Sequence, residues 1–210
     1  MQVDLVTFDT RASRTRYVVE HFKEHLTGRV LDVGCDQSPL RELMPEIGYT
    51  GTDIGGNADV QLDFEKIDRL PFDDNQFDSV MCCDVLEHLD NLHFVFNELV
   101  RITERKLIIS LPNCWAAARQ PIGRGRGHFG HYGLPFDKPV DRHKWFFSLT
   151  EAVDFLEEQA VRHGLMVSEI RVAEKKRPAF KQFLRRLRYS SQFRYLNRYA
   201  HTVFVVLEKK

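Results

Sequence analysis

Arg29-Val30-Leu31-Asp32-Val33-Gly34-Cys35-Asp36 is the stretch whose reading decides the fold. Residues 30–33 are apolar and β-prone enough for a buried strand, and the run stops at a glycine. An acid, Asp32, stands just before the turn. A second acid, Asp53, follows 21 residues later, behind Tyr49-Thr50-Gly51-Thr52. Strand, glycine turn, helix, strand and acid form the layout of a βαβ unit that holds an adenosine-type ligand. The turn lets the backbone approach the ligand, and the acid on the second strand accepts from ribose hydroxyls.

Upstream, residues 11–26 read as a helix with Val18, Val19, Phe22 and Leu26 along one side, stopped by Thr27-Gly28. Residues 1–10 read as an irregular lead-in. Arg11, Arg14 and Arg16 are expected to be exposed, with a contact to a ligand carboxylate as the alternative. Downstream, the turn runs through Pro39 into a short helix ending near Met44. Strands two and three are expected at 49–53 and 60–63, and a central fourth at 77–83. Residues 85–101 carry a helical apolar stripe. A fifth strand, 106–111, closes at Pro112-Asn113. The glycine- and aromatic-rich stretch 121–139 is too long for a routine connection. Ser148 and Glu151 form a capping box that opens a helix over 149–163. Strand six (167–172), an amphipathic helix (179–188) and a last strand (201–207) follow. Strands alternating with helices imply a mostly parallel sheet covered on both faces. The reading is one domain over 1–210. It has an N-terminal helix within 1–27, a lid-like insertion at 114–147 and a basic helical insertion at 175–200.

Composition agrees with a soluble globular chain: 43% hydrophobic and 29% charged over 210 residues. No apolar run nears the roughly 18 residues of a membrane span, and the start lacks the pattern of a signal peptide. A cytoplasmic location is expected. Cys35, Cys82, Cys83 and Cys114 show no CxxC spacing and read as reduced. Cys82 and Cys83 should point to opposite faces of a sheet. The zero net charge hides an asymmetry: residues 36–90 hold fourteen acids and three bases, while 175–198 hold nine bases and no acid. Two readings stay open for the basic segment. Its helix either caps the sheet with solvated arginines, or meets something anionic, such as the inner surface of a membrane.

With these elements placed, the chain resembles the class I S-adenosylmethionine-dependent methyltransferases. Val30-Leu31-Asp32-Val33-Gly34-Cys35 matches the first motif and Gly51-Thr52-Asp53-Ile54 the second. Leu62-Asp63-Phe64-Glu65, the stretch 70–80 and Asp84-Val85-Leu86-Glu87-His88-Leu89 follow in the family's order. The resemblance implies an α/β, Rossmann-like seven-stranded sheet in the order 3-2-1-4-5-7-6, strand seven antiparallel, with helices on both faces. It implies that Gly34 and Cys35 line S-adenosylmethionine through the backbone while Asp32 orients the turn. Asp53, with Ile54 beside it, would bind the ribose, Asp63 and Phe64 would flank the adenine, and Asp84, Val85 and His88 would lie near the methionine end or the acceptor. The chain departs from the family after Gly34, where Asp36-Gln37-Ser38 replaces further glycines.

Methyl transfer to a hydroxyl needs a positioned base. The candidates are His88, His128, His131, Asp141 and His143, with His143 favoured and Asp141 beside it. A divalent metal such as magnesium is an alternative activator, although no ligand spacing demands it. The segment after strand four lacks the Asn/Asp-Pro-Pro-aromatic motif of nucleic-acid amino methyltransferases, so no specific nucleic acid is expected. The segment 84–89 and the cluster 142–147 are similar to small tailoring enzymes. A saccharide, polysaccharide or glycolipid hydroxyl is the leading acceptor. A lipid, quinone or other small metabolite is the alternative, and a non-catalytic cofactor-binding partner subunit is a third class.

Overall fold

The computed structural model describes residues 1–137, 139 and 142–210. Among these residues, eight strands join one sheet: β1 (Gln2–Leu5), β2 (Arg29–Val33), β3 (Gly48–Asp53), β4 (Val60–Gln61), β5 (Phe77–Cys83), β6 (Thr103–Pro112), β7 (Leu165–Glu174) and β8 (Ala200–Lys209). Their order is β1-β7-β8-β6-β5-β2-β3-β4. Without β1 this is the expected 3-2-1-4-5-7-6, and β8 runs antiparallel to both β6 and β7. β1 corrects the expected lead-in. It extends the sheet parallel to β7, with Gln2 opposite Arg171. Four residues are too few to show a period, and tertiary contacts hold the strand. Tyr17 and Arg171 both donate to Asp4, at 2.6 and 3.1 Å.

Among the described residues, seven helices flank the sheet: α1 (Arg11–Phe22), α2 (Pro39–Leu43), α3 (Leu92–Ile102), α4 (Cys114–Arg124), α5 (Leu149–Arg162), α6 (Ala179–Leu187) and α7 (Gln192–Tyr199). Strand alternation divides the core in two. Leu31, Val80, Cys82, Leu107, Ile109 and Val205 face one side with Phe96, Leu99 and Leu156. Val30, Met81, Ile108, Phe204 and Val206 face the other with Tyr17, Phe22 and Leu40. Cys82 and Cys83 do split between these faces, and all four cysteines are free thiols.

Three helical expectations change. The stripe over 85–101 is two elements: a single 3-10 turn, Leu86–His88, and then α3. The break falls where the Asp90 N–H turns to the Glu65 carboxylate at 2.7 Å. α4 and α7 fill stretches that showed no helical stripe. α4 starts on the Asn113 side chain, ends at Gly125 with φ +61°, and carries Pro121 within it. α6 forms as expected, but its apolar side does not cap the sheet: Phe180 is 71% exposed and Leu187 67%. The expected capping box is present, with Ser148 accepting from Glu151 N–H at 3.2 Å and Glu151 from Ser148 N–H at 2.7 Å.

Asn113 ties the end of β6 to α7. Its amide donates to the carbonyls of Leu196, Asn197 and Ala200 at 3.2, 2.9 and 2.9 Å, and its oxygen caps α4 through Ala116 N–H. Asn113→Ala should lower stability by about 3 kcal/mol, because it strands buried carbonyls and removes a cap. Asn113→Asp keeps the cap but not the donor, and urea unfolding should show it destabilised as well.

Candidate active site

The site grows from the turn after β2. Gly34 has φ +76°, a left-handed conformation that glycine adopts without cost. A Cβ there would lie 2.3 Å from Val85 Cγ2, so the missing side chain also makes room for the segment after β5. The Gly34 N–H donates to Thr52 O at 2.8 Å. Asp36 and Ser38 take φ +50° and +55°, so they adopt the left-handed backbone that further glycines usually supply. The turn is held from the β3 side. Asp53 accepts from Asp36 N–H at 2.9 Å and from Ile54 N–H at 2.6 Å. Asn57 N–H donates to Asp36 O at 2.8 Å, and a Cβ at Gly56 would fall 2.2 Å from that same oxygen.

Asp32 lies buried beneath the turn and accepts from the Tyr49 hydroxyl at 3.1 Å. Burial pushes its carboxyl up to about 7, against the Tyr49 hydrogen bond. Asp63 stays below the usual carboxylate range because Lys66 pairs with it at 2.8 Å. Phe64 is buried in the main core, while Ile54 stands exposed at the rim and Cys35 is buried.

Arg14 is not an exposed arginine. It is half-buried and ion-paired with Asp84, whose other oxygen accepts from Ser110 Oγ at 2.5 Å. Arg11 reaches Asp36 at 3.5 Å. The two arginines carry α1 across the turn, and they line both the narrow cleft over Gly34 and a larger chamber beyond Asp84. The chamber measures about 460 Å³ and is walled by the residues after β5, β6 and β7.

His88 and His143 meet in this chamber because residues 142–147 dock on residues 86–90. Lys144 N–H donates to Glu87 O at 2.8 Å, and its ammonium reaches Glu65 and Asp90 at 2.9 and 2.5 Å. The Trp145 indole donates to Leu89 O at 2.7 Å. The His88 and His143 rings lie 4.6 Å apart, and His131 stacks on His143 at 4.1 Å. The Tyr132 hydroxyl lies 2.7 Å from Trp145 O and 3.1 Å from His143 Nδ1, so it ties the imidazole to the segment that carries it. Asp141, expected beside it, lies outside the described residues.

Glu87, His88 and His143 bring one donor atom each within 4.8 Å of one another. Two imidazoles and a carboxylate suit a borderline transition metal; magnesium prefers oxygen ligands, so the set does not fit the magnesium expectation. Cys114 Sγ lies 2.7 Å from the Tyr132 hydroxyl. Glu174 was not singled out in the sequence. It is buried at the chamber wall and accepts from the Tyr195 hydroxyl at 2.6 Å on one oxygen, and its other oxygen has no hydrogen-bond partner among the described residues. No local pattern signals it.

Residues 31–109 match the family described as a methyltransferase domain. An uncharacterized protein of Methanocaldococcus jannaschii is 35% identical over 92 residues, 40% of this chain and 40% of its own length. The match therefore spans less than half of that curated relative. A SAM-dependent methyltransferase from Archaeoglobus fulgidus superposes with TM-score 0.58 at 17% identity, covering 96% of each chain. The [4+2]-cyclase SpnF superposes with TM-score 0.56 at 15% identity, covering 94% of this chain and 81% of its own. At such identities the likeness shows the fold alone. The chain thus has the fold of the class I S-adenosylmethionine-dependent methyltransferases, and its residues 31–109 match a methyltransferase domain.

Among the described residues, no helix is long and apolar enough to cross a membrane.

Two outcomes test the turn. Asp53→Ala should weaken S-adenosylmethionine binding at least about tenfold, since it removes both the ribose acceptor and the anchor of Asp36 N–H; titration calorimetry measures this. For Asp32, the folded carboxyl titrates near 7 and the unfolded one at 3.8. The folded state holds the extra proton between these values, so stability should fall as pH rises from about 4 to about 7. Asp32→Asn should flatten that slope in urea melts taken across the window.

Proposed function

We propose that the protein methylates a hydroxyl of a saccharide, polysaccharide or glycolipid seated in the chamber, with S-adenosylmethionine as the donor. The observation that carries this is the placement of His143, beside the Tyr132 hydroxyl, in a chamber that adjoins the Gly34 turn. When bound, S-adenosylmethionine supplies a methyl group on a sulfonium, which any positioned nucleophile can displace.

The remaining work falls to side chains of this chain. Asp53 would hold the ribose, and Arg11 and Arg14 the cofactor's carboxylate. The Asp84–Arg14 pair stands at the border between the cleft and the chamber and fixes where the donor ends. A sugar hydroxyl would give up its proton to His143 as its oxygen takes the methyl group and the cofactor's sulfur departs as a neutral thioether, and the Tyr132 hydroxyl beside Nδ1 would keep the ring in position. His131, stacked on His143, covers the base from solvent. The aromatic side chains of Phe129 and Tyr132 give the chamber a wall suited to a sugar face.

The decisive assay is transfer of labelled methyl from S-adenosylmethionine to fractionated cell extract. Label in an oligosaccharide or glycolipid fraction supports the acceptor class, and label confined to protein or polar small molecules rejects it. His143→Ala should cut turnover by roughly 10²- to 10⁴-fold while cofactor affinity stays unchanged. Tyr132→Phe should lower turnover less. Treatment with a chelator should leave the rate intact; a loss that zinc restores would reassign Glu87, His88 and His143 to a metal.

A further inference from the structure

Beside the chamber lies a second cavity, an open groove of about 580 Å³, and it differs in kind. Trp115, Ile122, Phe146 and Tyr189 make its apolar walls. Trp115 and Ile122 are seven residues apart on α4 and share one helix face with Ala118. That face is open: Ile122 is 66% exposed and Trp115 50%. The two cavities adjoin, because Ala118, Arg119 and Arg198 line both.

The border between them is crowded with positive charge. The guanidiniums of Arg119, Arg185 and Arg198 all lie around the ring of Tyr199, at 5.1, 4.6 and 6.0 Å from its centroid. Lys175 and Arg177 line the same side of the chamber. Among the described residues, none of these five forms an ion pair with a carboxylate. Burial, together with the neighbouring Arg198 and Arg185, lowers the Arg119 pKa below its ordinary value. Three like charges around one ring repel each other, and an anion with several acceptor oxygens would relieve them.

We infer that the acceptor is an anionic amphiphile, a lipid phosphate. Its phosphate sits against Arg119 and Arg198, its chain lies in the groove along Trp115, Ile122 and Phe146, and the group to be methylated reaches into the chamber. The inference rests on the proposed activity only for calling this ligand an acceptor; the binding site stands on its own geometry. α6 agrees with such a source, since Phe183 and Leu184 face solvent between Lys181, Arg185 and Arg186, the composition of a helix that lies on an anionic lipid surface.

The test is titration calorimetry with decyl phosphate below its micelle threshold, set against inorganic phosphate and decyl glucoside. Decyl phosphate should bind at one site, roughly a hundredfold tighter than inorganic phosphate, the worth of three or four buried methylenes. Arg198→Gln should weaken it about tenfold. Ile122→Glu, at an exposed position, should remove the chain's share and leave phosphate affinity unchanged. Equal affinity for decyl phosphate and inorganic phosphate, unchanged binding in both variants, or no binding at all would overturn the inference. S-adenosylmethionine is titrated into the same samples. Normal cofactor binding without decyl phosphate binding rejects this site alone, whereas the reverse rejects the methyltransferase reading and leaves the site standing.

Discussion

The left-handed turn at Gly34 is the constraint on which the other parts of the site depend. A single absent Cβ serves two purposes. It lets the backbone turn at the end of β2, and it admits Val85 from the end of β5. Strands that are neighbours in the sheet thereby bring their following loops into contact. The hydrogen bonds of Gly34 and Asp36 to β3 then fix the turn from the other side. A substitution at any of these points should disturb both the turn and the neighbouring edge of the chamber.

A second organising contact is the docking of residues 142–147 on the short 3-10 turn after β5. Lys144 and Trp145 do this with backbone, ionic and indole hydrogen bonds. His143 lies between those two anchors and is carried to His88 as a consequence. The Tyr132 hydroxyl, 3.1 Å from its Nδ1, then holds the ring in that place.

Charge follows the same architecture. Carboxylates gather at the ends of β2, β3 and β5, where most are committed: Asp53 to backbone amides, Asp84 to Arg14 and Ser110, Asp63 to Lys66. Cations gather on the opposite wall, on α4, α6 and the start of the connection after β7, and there they meet aromatic faces instead of acids. The net charge of zero is the sum of two local excesses in separate parts of the chain. α4 matters most to that wall, because one of its faces borders the charged chamber while another borders the apolar groove.

Much of this was legible in the chain itself. The strand, glycine turn and acid of residues 29–53 define a Rossmann-like unit because burial, left-handed backbone and ribose recognition each demand particular residue types at particular spacings. The same local logic places the capping box at Ser148 and the opposite faces of Cys82 and Cys83. Other features depended on partners remote in sequence. β1 is too short to carry a period and exists through Asp4, Tyr17 and Arg171. α7 shows no clear stripe and is held by Asn113, which lies about eighty residues earlier. Arg14 reads as a surface residue until Asp84 is brought beside it. The contact of Tyr132 with His143, the crowd of guanidiniums around Tyr199 and the groove beside the chamber have no local signature. Each arises from distances between distant segments, and those distances exist only once the sheet has fixed where its loops emerge.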